Sequence, residues 1–109
     1  MITMVVLLKA RAGLSRAEFV DYYENHHVPL VLRVAPAPAL YARHYLPEAD
    51  MSGNPSEFDA MTQLKFADKR AFREWLSLVA ATDSGIAEDE ARFLDRSRMR
   101  SWVVDERVS

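Results

Sequence analysis

The sequence predicts an α+β fold, a ferredoxin-like β-α-β-β-α-β sandwich with helices on one face of a mainly antiparallel sheet. Three observations predict it. Segments with strand and helix periodicity follow one another in that order. The chain has 109 residues, half of them hydrophobic, enough for one core and too few for two, so a single domain spanning 1–109 is expected. The first and last strands are apolar on both faces, although two helices can cover only one face of the sheet. A second copy packed sheet against sheet is the expected cover for the other face, making a homodimer.

Ile2 to Lys9, "ITMVVLLK", is β-branched and aliphatic and too short for a comfortable helix, so it reads as strand one. Met4, Val6 and Leu8 lie on one face, Val5 and Leu7 on the other. "RAGLSRAEF" supplies a loop with Gly13 and a helix start, where Ser15 caps and Glu18 completes a capping box. The helix keeps Phe19, Tyr23, Leu30 and Val34 on one stripe, with His26 and His27 near opposite edges of it. Pro29 has no N–H to offer Asn25 and crowds Val28, so a kink or break near Val28 is expected. "APAPAL" is a connector, and "LYARHYL" alternates as strand two: Leu40, Ala42, His44 and Leu46 face one way, Tyr41, Arg43 and Tyr45 the other.

"PEADMSGNPSE" is a polar loop. Phe58 to Phe66 reads as strand three, with Phe58, Ala60, Thr62, Leu64 and Phe66 opposite Asp59, Met61, Gln63 and Lys65. Asp68 caps a second helix carrying Phe72, Trp75, Leu76 and Val79, a shorter helical piece runs from Ile86 to Leu94 after Gly85, and "RMRSWVVDE" closes as strand four.

Composition removes several function classes. The formal net charge is -2 with no long run of one sign, so neither a nucleic-acid partner nor an acidic lipid surface is expected. There is no cysteine, hence no disulfide, thiolate nucleophile or cysteine metal site. The longest apolar run, Met4 to Leu8, is far short of a membrane span and lacks a signal peptide's flanks; a cytoplasmic protein is expected. Three scattered glycines make no phosphate-cradling loop, and adjacent His26 and His27 diverge by about 100° on a helix, so neither a nucleotide cofactor nor a metal is expected.

The segments "LLKARAGLSRAEFVDYYENHHVPLV", "YARHYL" and "ARFLDRSRMRSWVVDE" resemble the EthD family of dimeric α+β barrels, along nearly the whole chain. The most specific pieces are His27-Val28-Pro29-Leu30 and the turn Phe93-Leu94-Asp95. The resemblance implies a barrel formed by the two sheets of a dimer, and a pocket between helices and sheet with a histidine on or near helix one. Relatives of that kind are similar to cofactor-free cyclases, isomerases and dehydratase-type polyketide tailoring proteins. It therefore implies a cofactor-independent enzyme acting on a small hydrophobic, aromatic or polyketide-like molecule; the rival reading is a non-catalytic metabolite-binding or accessory protein of a degradation pathway. Gln63 stands where many members carry glutamate, which removes a carboxylate there.

His27 is the position that matches the family motif and the candidate acid/base, because an imidazole exchanges protons near neutral pH. Tyr23, His44, Thr62, Gln63, Phe66 and Phe93 are the candidate substrate-binding residues. His44 faces either the helices or the barrel interior, and alternation does not decide between them. If it faces the helices, Tyr41, Arg43 and Tyr45 line the dimer face.

Overall fold

The structure, a computed structural model, describes residues 1–109. Strand β1 (Ile2–Leu8) pairs antiparallel with β3 (Ala60–Phe66) on one side and with β4 (Arg100–Val104) on the other, and β2 (Leu40–Tyr45) extends the sheet beyond β3. The resulting order, β2-β3-β1-β4, is the ferredoxin-like arrangement expected from the element order. Register sets the faces. Met4 opposes Leu64, Val6 opposes Thr62 and Leu8 opposes Ala60, so the alternation read in β1 and β3 carries into one continuous apolar face under the helices.

Ser15 starts helix α1 (Arg16–Tyr22) as predicted: its Oγ accepts from the Glu18 N–H at 3.1 Å, and Glu18 Oε1 accepts from the Ser15 N–H at 2.9 Å. The expected break at Val28 does not occur. Val28 keeps helical dihedrals (φ -57°, ψ -49°), and the chain instead widens into a π-helical turn over Tyr23–His27 before continuing as α2 (Val28–Val34). The Val28 N–H reaches back to the carbonyl of Tyr23, five residues away, and Pro29 falls in the first turn of α2 where its missing N–H costs least. The wide turn just before the proline is the one that carries both histidines.

Helix α3 (Lys69–Ala80) begins at Asp68, whose side chain accepts from the Ala71 N–H. Gly85, in the left-handed region at φ 81°, turns the chain into α4 (Ile86–Phe93), and a 3₁₀ turn at Arg96–Arg98 leads to β4. All the helices lie on the face of Met4, Leu8 and Leu64. Two apolar clusters result: Met4, Val31, Leu64, Phe66, Trp75 and Ile86 at one end, and Leu8, Phe19, Tyr23, Val28, Ala60 and Phe93 at the other.

In strand two the register decides between the two facings that alternation left open. Tyr41 opposes Leu64 and Tyr45 opposes Ala60, so Tyr41, Arg43 and Tyr45 turn toward the helices, while Leu40, Ala42 and His44 turn to the open face. That open face has no helix above it. Trp102 is 50% exposed and Leu40 38% exposed, and Glu106 from the C-terminal tail reaches Lys65 at 2.5 Å and Gln63 at 3.0 Å. No helix is long and apolar enough to cross a membrane.

Candidate functional site

The phase of α1 is set at Ser15, and it carries inward Phe19, Tyr23 and His27, four residues apart each time. His27 is buried. Its Nδ1 lies 2.8 Å from Asp89 Oδ2, and its ring packs against Phe93 with centroids 4.9 Å apart. Asp89 comes from the first turn of α4, and its other oxygen accepts from the Tyr22 hydroxyl at 2.6 Å. A buried carboxylate with two donors is satisfied on both oxygens. Burial, and then the Asp89 bond itself, push the Tyr22 phenol above its ordinary range, so Tyr22 stays a donor.

With Asp89 holding Nδ1, the imidazole is fixed in orientation, and the carboxylate favours the tautomer with its proton on Nδ1. Nε2 has no protein partner. The ring borders a cavity of about 220 Å³ between the two apolar clusters, lined by 18 residues, 14 of them hydrophobic. That balance makes a largely apolar hollow with a few placed polar groups.

Those groups come from three directions. Tyr23 shares a hydrogen bond of 2.7 Å with Thr62 Oγ1, and Tyr41 points its hydroxyl at Tyr23 from 3.5 Å. Burial raises the phenol pKa of both tyrosines, so they remain neutral hydroxyls. Glu90, one residue beyond Asp89, also lines the cavity. Burial pushes its carboxyl upward, opposed by the nearby His27 and by Arg96, whose Nε lies 3.3 Å from Glu90 Oε1. Behind this wall Arg43 grips Glu24 with two bonds, 2.9 and 2.7 Å, and Tyr45 adds a third to the same carboxylate. The Arg43 bonds hold Glu24 below the usual carboxylate range; burial opposes them, and the Tyr45 bond adds a smaller lowering. This clamp ties β2 to the π-helical turn. No group of three or more His, Asp or Glu side chains is placed to hold a metal ion.

Of the residues singled out in the sequence, His27, Tyr23, Thr62 and Phe93 come together around the cavity. Three others do not. Gln63 lies between Thr62 and Leu64 on β3, so alternation turns it to the open face, where it bonds Glu106. His44 opposes Met61 on that same face and is exposed. Phe66 is buried against Phe72 and Trp75, outside the cavity wall. His26 is exposed and stacks on Tyr22 at 4.8 Å.

Asp89 and Glu90 were not anticipated. Their signal was present in "IAEDEARF": Ile86, Asp89, Glu90 and Phe93 fall at the i, i+3, i+4, i+7 positions of one helix face, which sets two acids on an apolar stripe.

Comparison with known proteins identifies the family and the fold. Residues 11–97 match the family model described as the EthD domain. No curated protein matches. Among solved structures, a protein of the ethyl tert-butyl ether D (EthD) family from Bacillus halodurans superposes with a TM-score of 0.70 at 18% identity, over 98% of this chain and 100% of that one. An EthD-like protein from Ralstonia eutropha gives 0.65 at 22% identity over 97% and 95%. A protein from Thermobifida fusca, described as dimeric, ferredoxin-like and of unknown function, gives 0.58 at 12% over 94% and 90%. At these identities the likeness concerns the fold.

Proposed function

The chain belongs to the EthD domain family, and from that premise we infer that it is a cofactor-independent enzyme moving protons on a small, largely apolar molecule, with His27 as general base. One observation carries the reading: Asp89 holds His27 Nδ1 at 2.8 Å while Nε2, free of any protein partner, belongs to a residue bordering an apolar cavity. In this role Nε2 takes a proton from an acidic C–H of the bound molecule, and the Asp89 carboxylate stabilises the imidazolium formed. Glu90, whose burial favours the protonated form, returns a proton to the departing or developing oxygen. Dehydration uses that proton on a leaving hydroxyl; isomerisation and cyclisation use it on a carbonyl oxygen.

The test is hydrogen exchange. Aryl ketones incubated with the protein in D₂O are assayed for deuterium uptake by mass spectrometry. A positioned acid/base contributes about 10²–10⁴-fold, and His27→Ala is expected to lose that factor. Equal uptake with the wild-type and variant proteins removes His27 from the chemistry.

The second reading, a metabolite-binding or accessory module, draws on the mutual pairing of Tyr23 and Thr62, which leaves few polar groups free for a substrate. It predicts thermal stabilisation by a ligand without turnover. In either case the open sheet face, with Trp102 half exposed, is the face of a homodimer, to be checked by sedimentation velocity.

A further inference from the structure

The cavity beside His27 is walled almost entirely by buried or half-buried side chains, and only two of its 18 lining residues are exposed: Leu76 on α3 and Ser101 on β4. Its mouth therefore lies between that helix and that edge strand. Register says which way β4 faces there. Ser101 opposes Val6 and Val103 opposes Met4, and residues directly opposed in an antiparallel pair point to the same side of the sheet. Met4 and Val6 both line the cavity, so Ser101 and Val103 stand on the helix side of β4. Yet Val103 is 59% exposed, and Leu76 is 37% exposed. The helix layer stops short of β4 and leaves, outside the mouth, an apolar strip that continues the cavity wall.

We propose that the ligand of this cavity carries an unbranched apolar chain, which leaves through the mouth and lies along Val103 and Leu76. This rests on the reading of the cavity as a ligand site and adds to it the shape of the ligand. Two observations choose a chain over a protein as the occupant. The strip is narrow: alternation gives β4 one apolar side chain on this side, Val103, and Leu76 is flanked on α3 by Arg73, Glu74 and Ser77. Two apolar side chains offer far less than the roughly 800 Å² per partner of a stable protein interface. The strip is also continuous with the cavity, because Leu76 and the Met4 that opposes Val103 both line it. A compact ligand would leave these methyl groups in water, whereas a chain of a few methylenes covers them.

Acetophenone, butyrophenone and hexanophenone share one head and lengthen the chain by two methylenes at each step. A fully buried methylene is worth about fourfold in Kd and one covered on a single side about twofold, so isothermal titration is expected to find hexanophenone bound roughly 16-fold tighter than acetophenone. Val103→Ser removes the β4 side of the strip. It is expected to cut that gain about fourfold, the share of two methylenes, while acetophenone binds as before. Val104→Ser makes the same substitution at the next position of the strand, opposite Thr3 on the open face, and is expected to change nothing. In ¹H–¹³C spectra of the wild-type protein, hexanophenone but not acetophenone is expected to shift the Val103 methyl signals.

Equal affinities along the series, a gain that Val103→Ser leaves intact, or a gain that Val104→Ser lowers as much overturns the proposal. The wild-type methyl signals decide the matter if a variant fails to fold, and their failure to move overturns it too. Acetophenone that binds with no gain from the longer chains strikes this inference alone; a series in which no member binds strikes the ligand site and this inference with it. His27→Ala is expected to keep the gain, so unchanged deuterium exchange in that variant strikes the catalytic reading and not this one.

Discussion

Asp89→Asn separates the role of the carboxylate from its shape. Asparagine keeps an oxygen for the Tyr22 hydroxyl, now 2.6 Å away, but offers His27 an amide in place of a charge at 2.8 Å. An amide oxygen turned to Tyr22 leaves the NH₂ toward Nδ1, and an NH₂ donates, so the imidazole must answer with a lone pair there and carry its proton on Nε2. The base becomes a donor. Both His27 and Asp89 are at least nine-tenths buried in their side chains, so solvent does not replace what is lost. One charge-assisted hydrogen bond is worth about 1.5–3 kcal/mol. At about 4–8 °C per kcal/mol for a domain near this size, the melting temperature should fall by roughly 6–24 °C. Proton transfer should fall by the larger factor, about 10²–10⁴. Long-range ¹H–¹⁵N correlation of the His27 ring reads the tautomer directly, with Nδ1–H expected in the wild type and Nε2–H in the variant. A wild-type ring already protonated on Nε2, or a variant with the same tautomer and an unchanged melting temperature, refutes the reasoning.

Glu24→Gln tests the clamp between β2 and the π-helical turn. Because Arg43 lowers the folded-state pKa of Glu24 below its unfolded value, its contribution is full above the ordinary carboxylate range and is lost as pH falls through the folded value. The variant should therefore melt below the wild type at neutral pH, with the gap closing in acid; a gap that widens in acid contradicts the assignment. Glu90 runs the other way: burial raises its pKa, so its ionisation costs stability as pH rises through the carboxylate range, and Glu90→Gln should gain on the wild type toward neutral pH in the same melting series. Phe93→Ala empties a fully buried ring that touches Phe19, Tyr23 and His27, and chemical denaturation should register a loss of about 3–5 kcal/mol. His44→Ala, on the open face, should leave deuterium uptake by aryl ketones unchanged in the exchange assay.

The fold was legible because its signals are local. The capping box at Ser15, the cap at Asp68 and the alternation of β1 and β3 each report on a few neighbouring residues, and each appears in the structure where the sequence put it. Strand two was ambiguous for a physical reason. Alternation assigns faces only when one face is apolar and the other polar, and here both are mixed: Leu40 and Ala42 look outward to a face awaiting cover, while Tyr41 and Tyr45 look inward with hydroxyls paired to Tyr23 and Glu24. Tyrosine, apolar along its ring and polar at its tip, suits either side.

The site was half legible, and the division follows chain distance. His27, Tyr23, Thr62 and Phe93 could be picked out singly. The partner that gives His27 its chemistry stands 62 residues away, and no periodicity connects them. What α4 did display was a helix of eight residues burying an acid between Ile86 and Phe93. A buried carboxylate demands donors, and in a chain with so few buried polar groups the donors are few: Tyr22 and His27 meet the demand. The wide turn at Tyr23–His27 is what permits it, since it carries Tyr22 and His27, five residues apart, to the two oxygens of one carboxylate. Pro29 bars an ordinary turn there and so helps to set the histidine's partner, a link from sequence to site that runs through backbone geometry rather than through the proline's own contacts.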